Sequence, residues 1–362
     1  MKPIKIIISG GGTGGHIFPA LAIAIGMQKI NLNTSILFVG AKGKMEMEKI
    51  PKAGFLIKGL WISGFQRSLS FENLLFPLKL VISIIQAFRV LKKFKPNIVV
   101  GTGGFASGPL LWVAQLLDLP TILQEQNSYP GFTNRILSKN ANRICVAYDG
   151  MEKFFPKSKI LLTGNPVRSN LVNLISSEKS KKHFDLNPKI KTLVVLGGSL
   201  GSERINELIK SNLDLFNELD LQVLWQCGQI YYEKYKKDAS NKVVIKPFIS
   251  KMEQLYAAAD FIISRAGAGS ISELSCVGKP ILLIPSPNVT ANHQYRNAQA
   301  LVKENAALMV EEKDLEEKFK KYFLILVSDE STQQELKQNL KRLSRPNATQ
   351  NIIREIIQLN DN

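Results

Sequence analysis

Apolar residues along this chain gather in short, nearly unbroken β-branched runs. Each run is followed by a stretch whose apolar positions recur at helical spacing. In the first half the runs are 4–9, 35–39, 98–100, 121–123, 143–147 and 160–163; in the second they are 192–196, 222–226, 242–246, 261–264, 280–284 and 307–310. Runs without polar alternation predict strands buried on both faces, and the helices between them supply the covering layers. The expected class is α/β with doubly wound parallel sheets. The pattern also starts twice. IKIIISGGGTGGHIFPALAIA (4–24) reads strand, glycine loop, helix, and KTLVVLGGSLGSERINELI (191–209) repeats that grammar. Two Rossmann-like domains in tandem account for the repeat, and 362 residues suffice for two cores.

Gly164 and Pro166 interrupt local structure within TGNPVRSNL (163–171). The expected division is therefore 1–164 and 165–345. Strand signals stop after Glu311. Beyond Pro346 a final helix is predicted from about Thr349 to Leu359, with Ile352, Ile353, Ile356 and Ile357 on one side. Residues 346–362 are expected to pack back toward the first domain.

Charge changes the picture more than composition does. Lys plus Arg number 47 against 30 Asp plus Glu, a formal +17 that suits an anionic partner or reflects a lysine-rich genome. Cys145, Cys227 and Cys276 are odd in number and widely spaced, which argues against a disulfide framework or metal cluster and fits a reducing compartment. The apolar run 6–8 leads into glycines rather than a leader cleavage site. The greasiest segment, 74–90, is interrupted by Pro77, Lys79 and Arg89 and is too short to span a bilayer. The expected location is cytoplasmic, with membrane contact allowed.

Gly10-x-Gly12-x-x-Gly15 has the spacing of a dinucleotide fingerprint. Such a site wants an acid at the end of the second strand, yet that strand ends Val39-Gly40-Ala41-Lys42, with no acid before Glu46. What survives is an anion-favouring row of N–H groups from Gly12 to Gly15 at a helix start. Further glycine loops follow strands at VVGTGGFASGP (99–109) and LGGSLGS (196–202). Together they predict anion-binding strand ends on both walls of an interdomain cleft. In ISRAGAGSISELSCVGKPILLIP (263–285) a helix is predicted to start near Gly269, with Glu273 in its first turn. That carboxylate suits ribose hydroxyls, or it complements a helix N-terminus. The amide-rich ANHQYRNA (291–298) offers Gln294 to sugar hydroxyls, or simply opens a surface helix.

GGGTGGH, GGFASGP, EQNSYPG, GNPVR, GGSLGS and the RAGAGSISEL…NHQ block, in that order, resemble the MurG family within glycosyltransferase family 28. The resemblance runs from Ile4 to about Gln299. It implies the GT-B arrangement: two Rossmann-like domains facing across a cleft, acceptor on the N-terminal one and donor mainly on the C-terminal one. It also implies inverting transfer of GlcNAc from UDP-GlcNAc to the MurNAc C4 hydroxyl of lipid I, giving lipid II for peptidoglycan. By the same resemblance Thr13, Gly14 and Gly15 line the donor side of the cleft, and Asn127 contacts the donor GlcNAc. Arg168 and Ser199 hold the diphosphate, and Ile249 makes the backbone contact to uracil. Ala268, Gly269, Ser270 and Glu273 wrap the nucleotide, with Glu273 on ribose, and Gln294 reads the sugar.

The family commonly has His before EQN; here Gln124 stands there. Of three histidines, His183 lies in a charged linker and His293 beside the donor amides, so His16 is the candidate base and Glu125 the reserve. Gly103, Gly104, Ser107 and Glu125 form the candidate acceptor-side anion-loop set. No Asp-x-Asp occurs, so no metal or other cofactor is expected. FENLLFPLKLVISIIQAFRVLKKFK (71–95) sets Leu75, Leu78 and Ile82 beside Lys79, Lys92 and Lys93. An apolar face edged by cations suits anionic lipid, placing the protein peripherally on the cytoplasmic face of the inner membrane. Nucleic acid is not expected as a partner, because the basic residues form no recognisable module. Oligomeric state is left open. The alternative reading is a nucleotide-sugar-binding protein without transfer activity.

Overall fold

The computed structural model describes residues 3–64, 74–168, 171 and 174–361. Phe71–Asn73, at the head of the apolar segment, and Ser169 and Asn170 of the expected joint lie outside the described residues. The chain forms two compact units, Met1–Val167 with Arg345–Asn362, and Arg168–Ser344.

The first unit is built on seven parallel strands: β1 (Lys5–Gly10), β2 (Ser35–Ala41), β3 (Leu56–Leu60), β4 (Ile98–Gly103), β5 (Thr121–Glu125), β6 (Arg143–Val146) and β7 (Ile160–Leu162). Their order across the sheet is β3-β2-β1-β4-β5-β6-β7. The second unit has six: β8 (Lys191–Leu196), β9 (Leu221–Gln226), β10 (Val243–Lys246), β11 (Phe261–Ser264), β12 (Ile281–Leu283) and β13 (Leu308–Met309), ordered β10-β9-β8-β11-β12-β13. All pairings between named strands are parallel. In each sheet the direction of travel reverses beside the first strand, between β1 and β4 and between β8 and β11. Ligand crevices in open α/β sheets open at such reversals, beyond the carboxyl ends of the strands. All three glycine loops leave those ends.

β1 shows why continuous apolar runs become central strands. Ile6 and Ile8 enter a core with Ile17, Ile23 and Ile98, whereas Ile7 enters the opposite one with Val99, Leu111 and Leu123. Sequence reasoning missed β3. LIKGL alternates exposed and half-covered positions because it is the sheet's outer strand, so it carries no buried run to be read.

The last helix, Ala348–Asp361, completes the first unit by packing on the helix Gly14–Ile30. Ile352, Ile353 and Ile356 join the core of β1 and β4, and the Arg143 guanidinium lies 3.4 Å from the Glu355 carboxylate. Ile352 is fully buried. Ile352→Ala is therefore expected to cost about 2–5 kcal/mol and to lower the urea midpoint of the first unit, measured by peptide-resolved hydrogen exchange.

Candidate active site

In the first unit β1 ends at Gly10, and a turn through Gly11, Gly12 and Thr13 enters the helix Gly14–Ile30. The matching turn after β4 carries Gly103 and Gly104. The two turns meet backbone to backbone: Gly104 has φ +87°, and a Cβ on it would lie 2.3 Å from the Gly11 carbonyl oxygen. Thr102, buried beneath them, donates its hydroxyl to the His16 carbonyl at 2.8 Å. Ser107 is spent internally, donating to the Gly104 carbonyl at 2.8 Å.

His16 is half-buried at this junction. Its Nδ1 lies 3.0 Å from the Gly11 carbonyl oxygen and 3.3 Å from Thr13 Oγ1. A carbonyl only accepts, so Nδ1 carries the proton and Nε2 offers its lone pair. Burial pushes the imidazole below its ordinary value, opposed by the carboxylates of Glu125 and Glu46. A neutral imidazole with Nε2 unprotonated is a competent base near pH 7.

Glu125 does not suit that reserve role. Its Oε1 accepts from the Asn127 N–H at 3.0 Å and Asn127 Nδ2 at 3.2 Å. Oε2 accepts from the Gly131 N–H at 3.1 Å and Asn134 Nδ2 at 2.8 Å. With four donors on one buried carboxylate, Glu125 holds the loop that presents Asn127. Gln124 is fully buried as well. Its Nε2 donates to Asn165 Oδ1 at 2.8 Å, its Oε1 accepts from Gln126 Nε2, and Gln126 Nε2 also reaches the Thr102 carbonyl at 2.7 Å. The position where an imidazole is common in the family thus belongs to a buried amide network.

The anion-binding reading of the first loop needs correction at one residue. The Gly12 N–H already has an anion: it donates to the buried Glu46 carboxylate at 3.0 Å. Thr13 and Gly15 are exposed and Gly14 is half-covered, where the helix begins.

In the second unit the loop after β8 leaves Ser199 exposed and ends at Ser202, which caps the helix Glu203–Ser211. Gln226 braces this region from β9, donating to the Gly198 carbonyl at 3.1 Å and accepting the Ile249 N–H at 2.9 Å. The Ile249 carbonyl is then the group that could meet a base. Ala268, Gly269 and Ser270 open the helix Ala268–Val277, and Glu273 falls in its second turn, not its first. Helix-terminus charge therefore does not explain Glu273. Its Oε1 lies 3.5 Å from Arg168 Nε, and its Oε2 accepts from the Tyr256 hydroxyl at 3.0 Å. Burial holds this carboxyl above the usual range, with Arg168 and Tyr256 pulling it back. Gln294 Oε1 accepts the N–H groups of Ala266 and Ser286 at 3.2 and 2.9 Å, so its NH₂ is the end available for a ligand.

A cavity of about 510 Å³ opens in this unit, lined by Gly197, Gly201, Ser202, Arg265, Gln294 and Glu312 among others. Arg168, Ile249 and Glu273 do not line it. Arg265 pairs with Glu312 and Ser202 and donates to the Ile284 carbonyl at 3.1 Å. Sequence reasoning passed over Arg265, although an arginine directly after a buried strand is a readable signal. Nothing local marks Tyr256, Thr102 or Asn134. Among the described residues no three His, Cys, Asp or Glu side chains form a metal-ligand set.

The helix Phe76–Phe94 carries an exposed apolar stripe of Leu78, Val81, Ile85 and Phe88, preceded by the exposed Leu74 and Leu75. Lys92 and Lys93 are exposed, with Lys92 Nζ 5.6 Å from the Phe88 ring centre. Lys79 departs from its expected place: it turns back over Trp61 and bonds Ser63 Oγ at 3.2 Å. Ile82 is half-buried. No helix among the described residues is long and apolar enough to cross a membrane.

Two Rossmann-like units with glycine turns at their switch points define a protein of the nucleotide-sugar transferase class. The model of the glycosyltransferase family 28 N-terminal domain matches residues 6–146, and that of the C-terminal domain matches residues 192–352. The chain belongs to glycosyltransferase family 28. It is 50% identical over 361 residues to the UDP-N-acetylglucosamine--N-acetylmuramyl-(pentapeptide) pyrophosphoryl-undecaprenol N-acetylglucosamine transferase of Flavobacterium psychrophilum, covering 99% of this chain and 98% of the relative. The protein of that name from Christiangramia forsetii is 52% identical over 360 residues, with 99% and 98% covered. Among solved structures, Acinetobacter baumannii MurG superposes with a TM-score of 0.81 at 27% identity, over 98% of this chain and 100% of that one. The calicheamicin glycosyltransferase CalG4 shares the fold, with a TM-score of 0.74 at 14% identity over 99% and 98% of the two chains. The fold is that of the GT-B glycosyltransferases.

The contact between the two glycine turns is directly testable. Gly104→Ala places a methyl against the Gly11 carbonyl at a backbone angle that side chains avoid. A loss of at least about 2 kcal/mol is expected, read as a lowered thermal midpoint.

Proposed function

We infer that this chain transfers N-acetylglucosamine from UDP-GlcNAc to the muramyl sugar of undecaprenyl-diphospho-MurNAc-pentapeptide, lipid I, producing lipid II. The observation that carries this reading is end-to-end likeness, at about half identity, to transferases named for that reaction. The packed glycine turns and the Nδ1-anchored His16 supply an acceptor-side base for that reaction. The second unit is the donor domain. There Arg168 and Ser199 meet the diphosphate, Glu273 the ribose, the Ile249 carbonyl the uracil and the Gln294 amide the sugar. Ala268, Gly269 and Ser270 supply the open start of a helix near the nucleotide. The Arg168–Glu273 pair exists before donor arrives. Binding then exchanges the carboxylate for phosphate oxygens on Arg168 and the guanidinium for ribose hydroxyls on Glu273, so neither group is left without a partner.

The first unit is the acceptor domain. His16 Nε2 takes the proton of the C4 hydroxyl as that oxygen attacks the anomeric carbon, with UDP leaving from the opposite face and inversion at that carbon. Thr13, Gly14, Gly15 and Asn127 line the reacting sugars, and the Gly103–Gly104 turn accommodates the acceptor. Negative charge growing on the departing diphosphate is met by Arg168 and by backbone donors.

The decisive assay gives the protein radiolabelled UDP-GlcNAc and a lipid I analogue. Label is expected in the lipid product, with or without EDTA; donor binding without transfer would leave only a nucleotide-sugar-binding protein. In the same assay Arg168→Ala should lower kcat/KM for UDP-GlcNAc by roughly 10- to 100-fold, the value of about 1.5–3 kcal/mol of charge-assisted bonding. Wild-type kinetics would remove Arg168 from the site.

The stripe Leu74, Leu78, Val81, Ile85 and Phe88, ending at Lys92, is the docking face for an anionic membrane surface, which is where a lipid-linked acceptor resides. The leaflet is the cytoplasmic one of the inner membrane. Each basic residue near such a surface contributes about 1 kcal/mol. Lys92→Glu with Lys93→Glu should greatly weaken sedimentation with anionic vesicles, while turnover of a short-chain soluble acceptor barely changes. Unaltered vesicle binding would make those lysines a solvated face.

A further inference from the structure

Glu46 opens the short helix Glu46–Lys52, yet its side chain is fully buried beneath the first glycine turn. Oε1 accepts the Ala41 N–H at 3.0 Å, at the end of β2, and Oε2 accepts the Gly12 N–H at 3.0 Å. The space is reserved for it: a Cβ on Gly11 would lie 2.1 Å from Oε1, and one on Gly40 would lie 2.5 Å from Glu46 Cγ.

The Gly12 N–H and the Gly11 C=O belong to one peptide group. That group donates to Glu46 on one side and accepts His16 Nδ1–H at 3.0 Å on the other. A carboxylate on the N–H end pulls electron density toward the carbonyl oxygen, strengthening its bond to the imidazole. Catalytic histidines elsewhere are oriented by a carboxylate directly on Nδ1; here a peptide plane stands between the two.

We propose that Glu46 is a positioning residue for the transfer step, acting through the Gly11–Gly12 peptide to hold His16 in its Nδ1-protonated tautomer with Nε2 toward the acceptor. The proposal rests on His16 being the base. It also explains why a glycine-rich strand–helix turn needs no phosphate: the turn's anion is built in.

Two carboxylates act on the imidazole, Glu125 from the end of β5 and Glu46, and both favour its protonated form. Removing the charge of Glu46 alone therefore lowers the imidazole pKa further. The base form then persists to lower pH. Glutamine at this position keeps the shape but presents an NH₂ to one of two N–H donors, so one bond is lost.

The test combines kinetics with ¹⁵N-histidine NMR, in which only three histidines contribute. In Glu46→Gln, kcat should fall roughly 10- to 100-fold with KM for UDP-GlcNAc within about twofold. The acid limb of kcat/KM should move to lower pH, and the His16 signals should shift from the Nδ1–H tautomer toward a mixture. A folded Glu46→Gln protein with unchanged tautomer and acid limb overturns the proposal, whatever its stability. If that variant does not fold, Glu46→Asp, which keeps the charge but cannot span both donors, is read by the same tautomer signal. His16→Asn separates the two ideas: an acid limb surviving there sinks the base assignment, whereas the tautomer readout judges Glu46 independently.

Discussion

The backbone contact between the turns after β1 and β4 is the constraint on which the first unit's site depends. Parallel neighbours β1 and β4 deliver both turns to the same sheet edge, so whatever occupies that edge must share a space narrower than two side chains. Gly104 against the Gly11 carbonyl solves this by having no side chain at all. Everything chemical follows from the resulting proximity. Thr102 can tie the helix start by its hydroxyl, the Gly103 backbone forms a wall for the imidazole edge, and the Gly11 carbonyl is free to face Nδ1. The imidazole is positioned almost wholly by main-chain groups, which move little and do not titrate.

Three carboxylates, two buried and one partly covered, then divide into two kinds. Glu46 and Glu125 are met by fixed donors, four backbone N–H groups and two side-chain amides, and serve to shape loops. Glu273 is met by the half-exposed Arg168 and a tyrosine hydroxyl. Partners of the first kind cannot leave without unmaking a turn. A guanidinium at the surface can swing to another anion at small cost. This difference, rather than burial or net charge, separates an acid that builds a site from one that can exchange its partner for a ligand.

The same distinction sets how much was readable beforehand. Central strands were legible because burial on both faces forces continuous apolar runs, and β3 was not because an edge strand is under no such pressure. The glycine turns were visible at strand ends and Glu273 and Gln294 at predicted helix starts, whereas Arg168 came only through the family resemblance. Roles were harder. Glu46 entered only as the first acid beyond the second strand and was given no role, since its function needs β2 and the β1 turn in register, a tertiary fact. Glu125 looked like a reserve base until four donors were counted on it. The helix start near Gly269 was legible to within one residue of Ala268, but at 3.6 residues per turn Glu273 lies past the first turn from either start.

Gln124 carries the last step. A neutral imidazole offers one donor and one acceptor, and the Gln124 amide supplies that same pair here, donating to Asn165 and accepting from Gln126. The hydrogen-bond inventory of the network can thus survive the exchange of histidine for glutamine, while a titratable group disappears from the core. Gln126 passes the restraint on to the Thr102 carbonyl, and Thr102 in turn holds the His16 carbonyl. The chain of contacts from Asn165 to His16 is therefore neutral throughout. With no second imidazole in that network, the charges that act on His16 are those of Glu125 and Glu46, two carboxylates each anchored by fixed donors.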